Sequence, residues 1–232
     1  MTRGKNNMDK TVTFALAKGR LAEKSAEILQ ECGIDCANIL EPTRKLILTD
    51  ASGAYGFIFV KPSDVPVYVE RGVADIGVVG KDTLLESGAD VYELADLEFA
   101  KCKLALAGYP GFDVKAARNG LKVATKYGAF ARGYFESRGL NADIIPLHGS
   151  IELGPIVGLS DIILDIVESG KTLKENGLVV LEEICDCSAR LIVNKVALKT
   201  KSSALIPLVE KINAAVAARK AAKEDRAREV GN

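Results

Sequence analysis

ADIGVVG (74–80) is an almost unbroken apolar run, and such a run reads as a strand covered on both faces. The chain on either side repeats the pattern. Upstream, TVTFALA (11–17) reads as a strand and is followed by a helix from Leu21 to Cys32, stopped by Gly33. RKLILTD (44–50) and YGFIFVK (55–61) read as strands joined by a turn at Ser52-Gly53, and Pro62-Ser63-Asp64 opens a helix with Ser63 or Asp64 as its cap. Downstream come a short helix (81–87), a connector, and the strand CKLALAGY (102–109). The segment 110–120, with Pro110, Gly111 and Gly120, reads as a loop.

A second alternating series starts beyond that loop. KVATKY (122–127), ADIIPLHG (142–149) and DIILDIV (161–167) read as strands, with helical segments at 130–138 and 152–159 between them. LVVLEEICDC (178–187) and ARLIVNKVAL (189–198) read as the last strands, and the tail from Ser203 reads as a helix that frays past Val216. Alternating strands and helices predict an α/β protein with mostly parallel sheets. The final strands have no helix left to pair with, so the chain is expected to return to its first half. The expected architecture is two-lobed and periplasmic-binding-protein-like (type II), with two strands crossing between lobes and a cleft for polar ligands. Lobe I is expected over 1–104 and 186–232, and lobe II over 105–185.

Composition narrows the function. The 232 residues are 48% hydrophobic and 27% charged, which excludes a mainly disordered chain. Lys+Arg and Asp+Glu are 31 each, so there is no basic excess to favour nucleic acid. Apolar runs stop well short of the roughly 20 residues a membrane helix needs. MTRGKNNMDK (1–10) has no apolar core of a secretory signal behind it, which predicts a cytoplasmic protein. Five scattered cysteines (Cys32, Cys36, Cys102, Cys185, Cys187) make a poor disulfide framework and read as reduced thiols. The one histidine, His148, argues against a Ser-His-Asp hydrolase and leaves no four-ligand zinc site; it is given no role beyond packing or a surface contact.

ILDIVESGKTL (163–173) carries the chemistry. A buried strand ends at Asp165, and a polar turn follows: Glu168, Ser169, Gly170, Lys171, Thr172. Glycine lets successive N–H groups converge on an anion, while Ser169 and Thr172 add hydroxyl donors and Lys171 adds charge. That is a phosphate cradle. Asp165 and Glu168 suit ribose hydroxyls, or a magnesium ion already bound to phosphate. A P-loop would need glycine where Asp165 stands. The ribose-phosphate loop of type I phosphoribosyltransferases fits at Asp165, Ser169, Gly170 and Thr172, with Leu164 in place of its first acid.

The stretch Glu152, Gly158, Ser160, Ile163, Asp165-Ile166, Ser169-Gly170-Lys171-Thr172-Leu173 resembles the signature of the ATP phosphoribosyltransferases, which open histidine biosynthesis. ALAKGRL (15–21), RKLIL (44–48), KPSDVPVYVERGVADIGVVGKD (61–82), ATKY (124–127) and CDCSARLIVN (185–194) resemble the same family in the same order. The length resembles the short form, which works with a separate subunit similar to histidyl-tRNA synthetase. The resemblance implies transfer of the phosphoribosyl group of phosphoribosyl pyrophosphate (PRPP) to N1 of ATP, with pyrophosphate leaving alongside substrate-bound Mg2+. It places Glu152, Asp165, Glu168, Ser169, Gly170, Lys171 and Thr172 on PRPP. It places Lys18, Gly19, Asp82 and Tyr127 near the nucleotide, with Tyr127 suited to pack on a base. Arg20 and Arg44 are the catalytic candidates, as bidentate partners of pyrophosphate. No metal ligand set is expected, and a homodimer within a hetero-oligomer is. The rival readings are a solute-binding module of the same two-lobed fold and a type I phosphoribosyltransferase acting on a free base.

Overall fold

The computed structural model describes residues 11–41, 44–114, 116 and 119–230. The ten residues read for a signal lie outside these, as do parts of the 110–120 loop. The chain divides into two compact units. One holds the described residues up to Lys81, with 89–100 and those from Ala189 on; the other holds 82–88 and 101–188.

The first unit is built on a six-stranded sheet. Its strands are β1 (Val12–Ala17), β2 (Ile47–Thr49), β3 (Tyr55–Val60), β4 (Ile76–Gly80), β5 (Tyr92–Asp96) and β11 (Ala189–Val193), in the order β2-β3-β1-β4-β11-β5. Every residue of β1 is buried, because β1 lies inside the sheet with helices over it. The helices α1 (Arg20–Glu31), α2 (Ala37–Leu40), α3 (Val65–Glu70), α8 (Lys195–Thr200) and α9 (Ser202–Val230) complete the unit. Phe14, Phe57, Ile76, Leu191, Leu29 and Leu205 meet in its core. Asn194 joins two helices with one amide. Its Oδ1 accepts from the N–H groups of Val196 and Ala197 at the start of α8, and its Nδ2 donates to the carbonyls of Val69 and Glu70 at the end of α3.

The second unit is built on β6 (Cys102–Gly108), β7 (Asn119–Thr125), β8 (Asn141–Pro146), β9 (Ile162–Val167) and β10 (Val179–Cys187), in the order β10-β6-β9-β7-β8. Its helices are α4 (Lys81–Ser87, of which 82–87 fall in this unit), α5 (Gly128–Ser137), α6 (Leu153–Ile156) and α7 (Lys171–Glu175). Leu104, Leu106, Val123, Phe135 and Leu164 form one side of its core, and Ala107, Ile163, Leu173 and Leu178 the other.

The two-lobed α/β expectation stands, with three corrections. The sheets are mixed rather than mostly parallel. β1 runs parallel to β3 and β4, and β7 to β8 and β9; every other pairing is antiparallel. The strands that return late, β10 and β11, run against their neighbours, and β2 with β3 is a hairpin. Among the described residues no strand belongs to both sheets; the chain passes from unit to unit between strands, at 81–82, 88–89, 100–101 and 188–189. The expected boundaries at 104/105 and 185/186 move outward, since β6 and β10 pair along their whole lengths from Cys102 and up to Cys187. Residues 82–88 also leave the first lobe for the second.

Smaller elements differ too. The 88–101 connector contains β5, and the run 189–198 is a strand only to Val193, where Asn194 starts α8. Neither Ser63 nor Asp64 caps α3 with its side chain. The tail is one continuous helix, held by Arg219 to Glu31 at 2.7 Å and by Lys220 to Glu98 at 3.1 Å.

Candidate functional site

The cradle residues occupy a strand–turn–helix passage in the second unit. β9 carries Asp165 near its carboxyl end, Glu168 and Ser169 leave it, and Gly170 turns the chain into α7. Gly170 sits at φ 69°, ψ 3°, the left-handed region that disfavours other residues. Lys171 N–H points back at Ser169 Oγ over 3.4 Å. Leu173 is buried and anchors the turn, while Glu168, Ser169, Lys171 and Thr172 face solvent. Among the described residues, Lys171 pairs with Glu175 on its own helix, at 3.8 Å. An exposed pair of this kind is weak, so the ammonium is readily released to an anion.

Asp165 is a half-buried acid, its side chain 17% exposed. Lys126 Nζ lies 3.7 Å from its Oδ1, which also accepts the N–H of Ile166 at 2.8 Å. Burial pushes the carboxyl above its ordinary value; the charges of Glu152 and Asp82 push the same way, and the Ile166 N–H and Lys126 oppose them. Glu152 is half-buried just before α6. Thr125, fully buried, locks the neighbouring strand end in place. Its hydroxyl donates to the Leu164 carbonyl at 2.6 Å and accepts the Tyr127 N–H at 2.9 Å.

Asp82 and Tyr127 meet. The phenol donates to Asp82 Oδ2 at 2.6 Å, and Lys126 Nζ stands 4.8 Å from the ring centroid. Burial first, then the Asp82 carboxylate, hold the phenol proton well above its usual range. Tyr127 is 3% exposed and belongs to the core of the second unit, with its hydroxyl on Asp82.

The other predicted residues lie in the first unit. Lys18 and Gly19 follow β1, and Arg20 opens α1; Gly19 precedes that helix at φ 89°. Lys18 Nζ stands 5.6 Å from the Phe59 ring centroid. Arg44 is exposed before β2. β2 runs antiparallel to β3, with Ile47 opposite Ile58, while Ala17 pairs with Val60. Arg44 therefore lies toward the same end of the sheet as Lys18, Gly19 and Arg20, the carboxyl end of its parallel strands. Asp82 and Tyr127 are not grouped with these residues but with the cradle.

Two residues escaped the sequence reading. Lys126 was inside the quoted ATKY, where alternation at the strand end marked it as polar; its pairing with Asp165 depends on β7 lying beside β9. Glu86 carried no local signal. A groove of about 540 Å3 between α4 and α5 is lined by Leu85, Glu86, Phe130 and Tyr134, among others, and by none of the predicted site residues. All five cysteines are free, buried or half-buried thiols, and His148 is exposed. Burial raises the thiols of Cys102 and Cys187 above the ordinary value and of Cys36 to about 12, which keeps them protonated and unreactive.

Known proteins are similar to this chain in sequence and fold. The family profile described as HisG: ATP phosphoribosyltransferase matches residues 61–214. A curated ATP phosphoribosyltransferase of Clostridium novyi (strain NT) is 49% identical over 209 residues, covering 89% of this chain and 99% of the relative. One from Ruminiclostridium cellulolyticum is 51% identical over 201 residues, covering 86% and 94%. A chain in the structure of the ATP phosphoribosyl transferase (HisG:HisZ) complex from Thermotoga maritima superposes with a TM-score of 0.77 at 35% identity, covering 89% of this chain and 98% of that one. The periplasmic aliphatic sulphonate binding protein SsuA from Escherichia coli superposes at TM-score 0.56 and 13% identity, covering 93% of this chain and 71% of that one, which is a likeness of fold alone. With about half of its residues identical to relatives whose own length it spans almost completely, the chain belongs to the ATP phosphoribosyltransferase family.

Proposed function

We propose that the chain transfers the phosphoribosyl group of PRPP to N1 of ATP, opening histidine biosynthesis, and that the 165–172 turn holds the PRPP phosphate and ribose. The observation that carries this reading is the turn itself: a left-handed Gly170 between β9 and α7, beside a half-buried Asp165 paired with Lys126. The N–H groups opening α7, with Ser169, Thr172 and Lys171, present donors and charge to the phosphate. Asp165 and Glu152 accept from the ribose hydroxyls. N1 of adenine attacks C1 of the ribose as the C1–O bond to pyrophosphate breaks, and the electron pair leaves with pyrophosphate. Such a reaction asks for positioning and for charge at the leaving group more than for a nucleophile. Arg20 and Arg44 supply that charge, and Lys18, Gly19 and Asp82 serve the nucleotide.

Magnesium is treated as part of the substrate. Among the described residues no group of three or more His, Cys, Asp or Glu side chains is placed to hold a metal ion. The ion needs only one or two protein carboxylates when phosphates fill its other positions, and Asp165 with Glu168 fits that demand. The reading extends to a second, synthetase-like subunit, by analogy with the two-component complex of the Thermotoga maritima relative. Among the described residues no helix is long and apolar enough to cross a membrane, and a cytoplasmic site of action is part of the same proposal.

The test is turnover. The chain, alone and with a synthetase-like partner, is incubated with PRPP, magnesium and either ATP or a free base, and pyrophosphate is measured. Release with ATP and not with adenine supports the reading. Release only with a free base, or none with ATP under either condition, refutes it.

A further inference from the structure

Helix α4 grips the turn that opens α5 with two carboxylates one helical turn apart. Asp82 and Glu86 are spaced i, i+4 and so share one face of α4. Asp82 takes the Tyr127 hydroxyl at 2.6 Å. Glu86 reaches the next residues along: its Oε1 accepts the Ala129 N–H at 3.0 Å and its Oε2 the Phe130 N–H at 2.9 Å. These are two of the orphan donors at the start of α5, whose own N-cap residue, Tyr127, supplies no side-chain bond. A carboxylate spread over two amides at a helix N-terminus makes two charge-assisted bonds with fixed geometry. Both carboxylates are half-buried. The pair also explains why 82–88 groups with the second unit although its sequence neighbours on both sides belong to the first.

We infer that Glu86 is a positioning residue for the nucleotide site, fixing Asp82 through α4 by its bonds to the α5 N-terminus. The inference rests on the reading above that Asp82 serves ATP. Without Glu86, Asp82 retains the Tyr127 hydroxyl and Leu85 its packing on the core, but the far end of that face of α4 loses both bonds to α5 and can shift. The carboxylate of Asp82 loses its set direction while its chemistry is unchanged.

The test uses Glu86→Gln and Glu86→Ala in the full chain, with both substrates titrated. Gln keeps the size and one acceptor oxygen, so folding is preserved, and thermal melts verify this. The expected result is a KM for ATP raised at least fivefold by Gln and further by Ala, with the KM for PRPP within twofold of wild type. Hydrogen exchange at the Ala129 and Phe130 amides accelerates in both variants. In the Asp82→Asn background, Glu86→Gln adds less than a twofold further effect, because both act through one carboxylate. An unchanged KM for ATP in Glu86→Ala, beside an impaired Asp82→Asn, overturns the inference alone. A full additional effect in the double variant also overturns it. If Asp82→Asn itself leaves the KM for ATP unchanged, the inference falls with the reading it rests on.

Discussion

Replacing Gly170 separates the backbone contribution of the cradle from its side chains. The residue sits at φ 69°, ψ 3°, and a Cβ added there meets only Val167 Cγ1, at 3.8 Å, an ordinary contact. Steric blockage is therefore not the issue, and the cost is the left-handed conformation, about 1–2 kcal/mol for an L-residue. In the free protein the exposed turn can relax out of that conformation, and PRPP must then restore it. The cost appears as a KM for PRPP raised about five- to thirty-fold in Gly170→Ala. Asn tolerates the left-handed region and should fall between Gly and Ala; Val, stiff at its branched Cβ, should exceed Ala. If the turn holds its shape instead, the same strain appears as a loss of about 2–4 °C in Tm per kcal/mol. Pyrophosphate release with PRPP varied at saturating ATP, alongside thermal melts, reads both. A Gly170→Val protein with wild-type KM and wild-type Tm would remove the basis for placing phosphate on this turn.

Thr172→Ala, which deletes a hydroxyl donor from the same turn, should weaken PRPP use more than ATP use, seen as a selective rise in KM for PRPP. Asp165→Asn should lower turnover yet leave the fold as stable or more stable at neutral pH. The folded protein raises the Asp165 carboxyl above its ordinary value, so its contribution to stability is greatest when protonated and is lost as pH rises through that raised value. Melts of wild type and Asp165→Asn should therefore converge as pH falls, and an Asn variant less stable at pH 8 than wild type would contradict this. Arg20→Ala and Arg44→Ala should each lower turnover several tens-fold or more with small effects on Tm, as expected for the loss of about 2–4 kcal/mol of transition-state contact; unchanged kcat in both would return them to surface charges.

The alternation of strand and helix was legible because the buried strands are dominated by apolar runs, as in VTFALA of β1 and the Ile162-Ile163-Leu164 start of β9. β5 was not. Of its residues YELAD only Ala95 is buried, and Glu93 and Asp96 are there to pair with Arg190 on β11, a partner far along the chain. The start of α8 was hidden because Asn194 sits inside an otherwise strand-like run; its Oδ1 caps α8 locally, while its Nδ2 bonds to the end of α3, far along the chain, which no local pattern shows. Asp165 and Gly170 could be read from local chemistry alone. Lys126 and Glu86 could not, since a lysine and one of 31 acidic residues acquire meaning only through strand order and the placement of α4.

The position of β11 bears on how the chain is made. It sits between β4 and β5, and β5 has no other neighbour in its sheet. During synthesis from the amino terminus, β4 therefore presents an unpaired edge, and β5 has no sheet to join, until residue 193 has left the ribosome. The residues of the second unit end at Ser188, so all five of its strands have emerged before β11. A nascent chain halted before Ala189 holds a complete second sheet beside an unfinished first one, and that open edge is where a chaperone would bind or two stalled chains would pair.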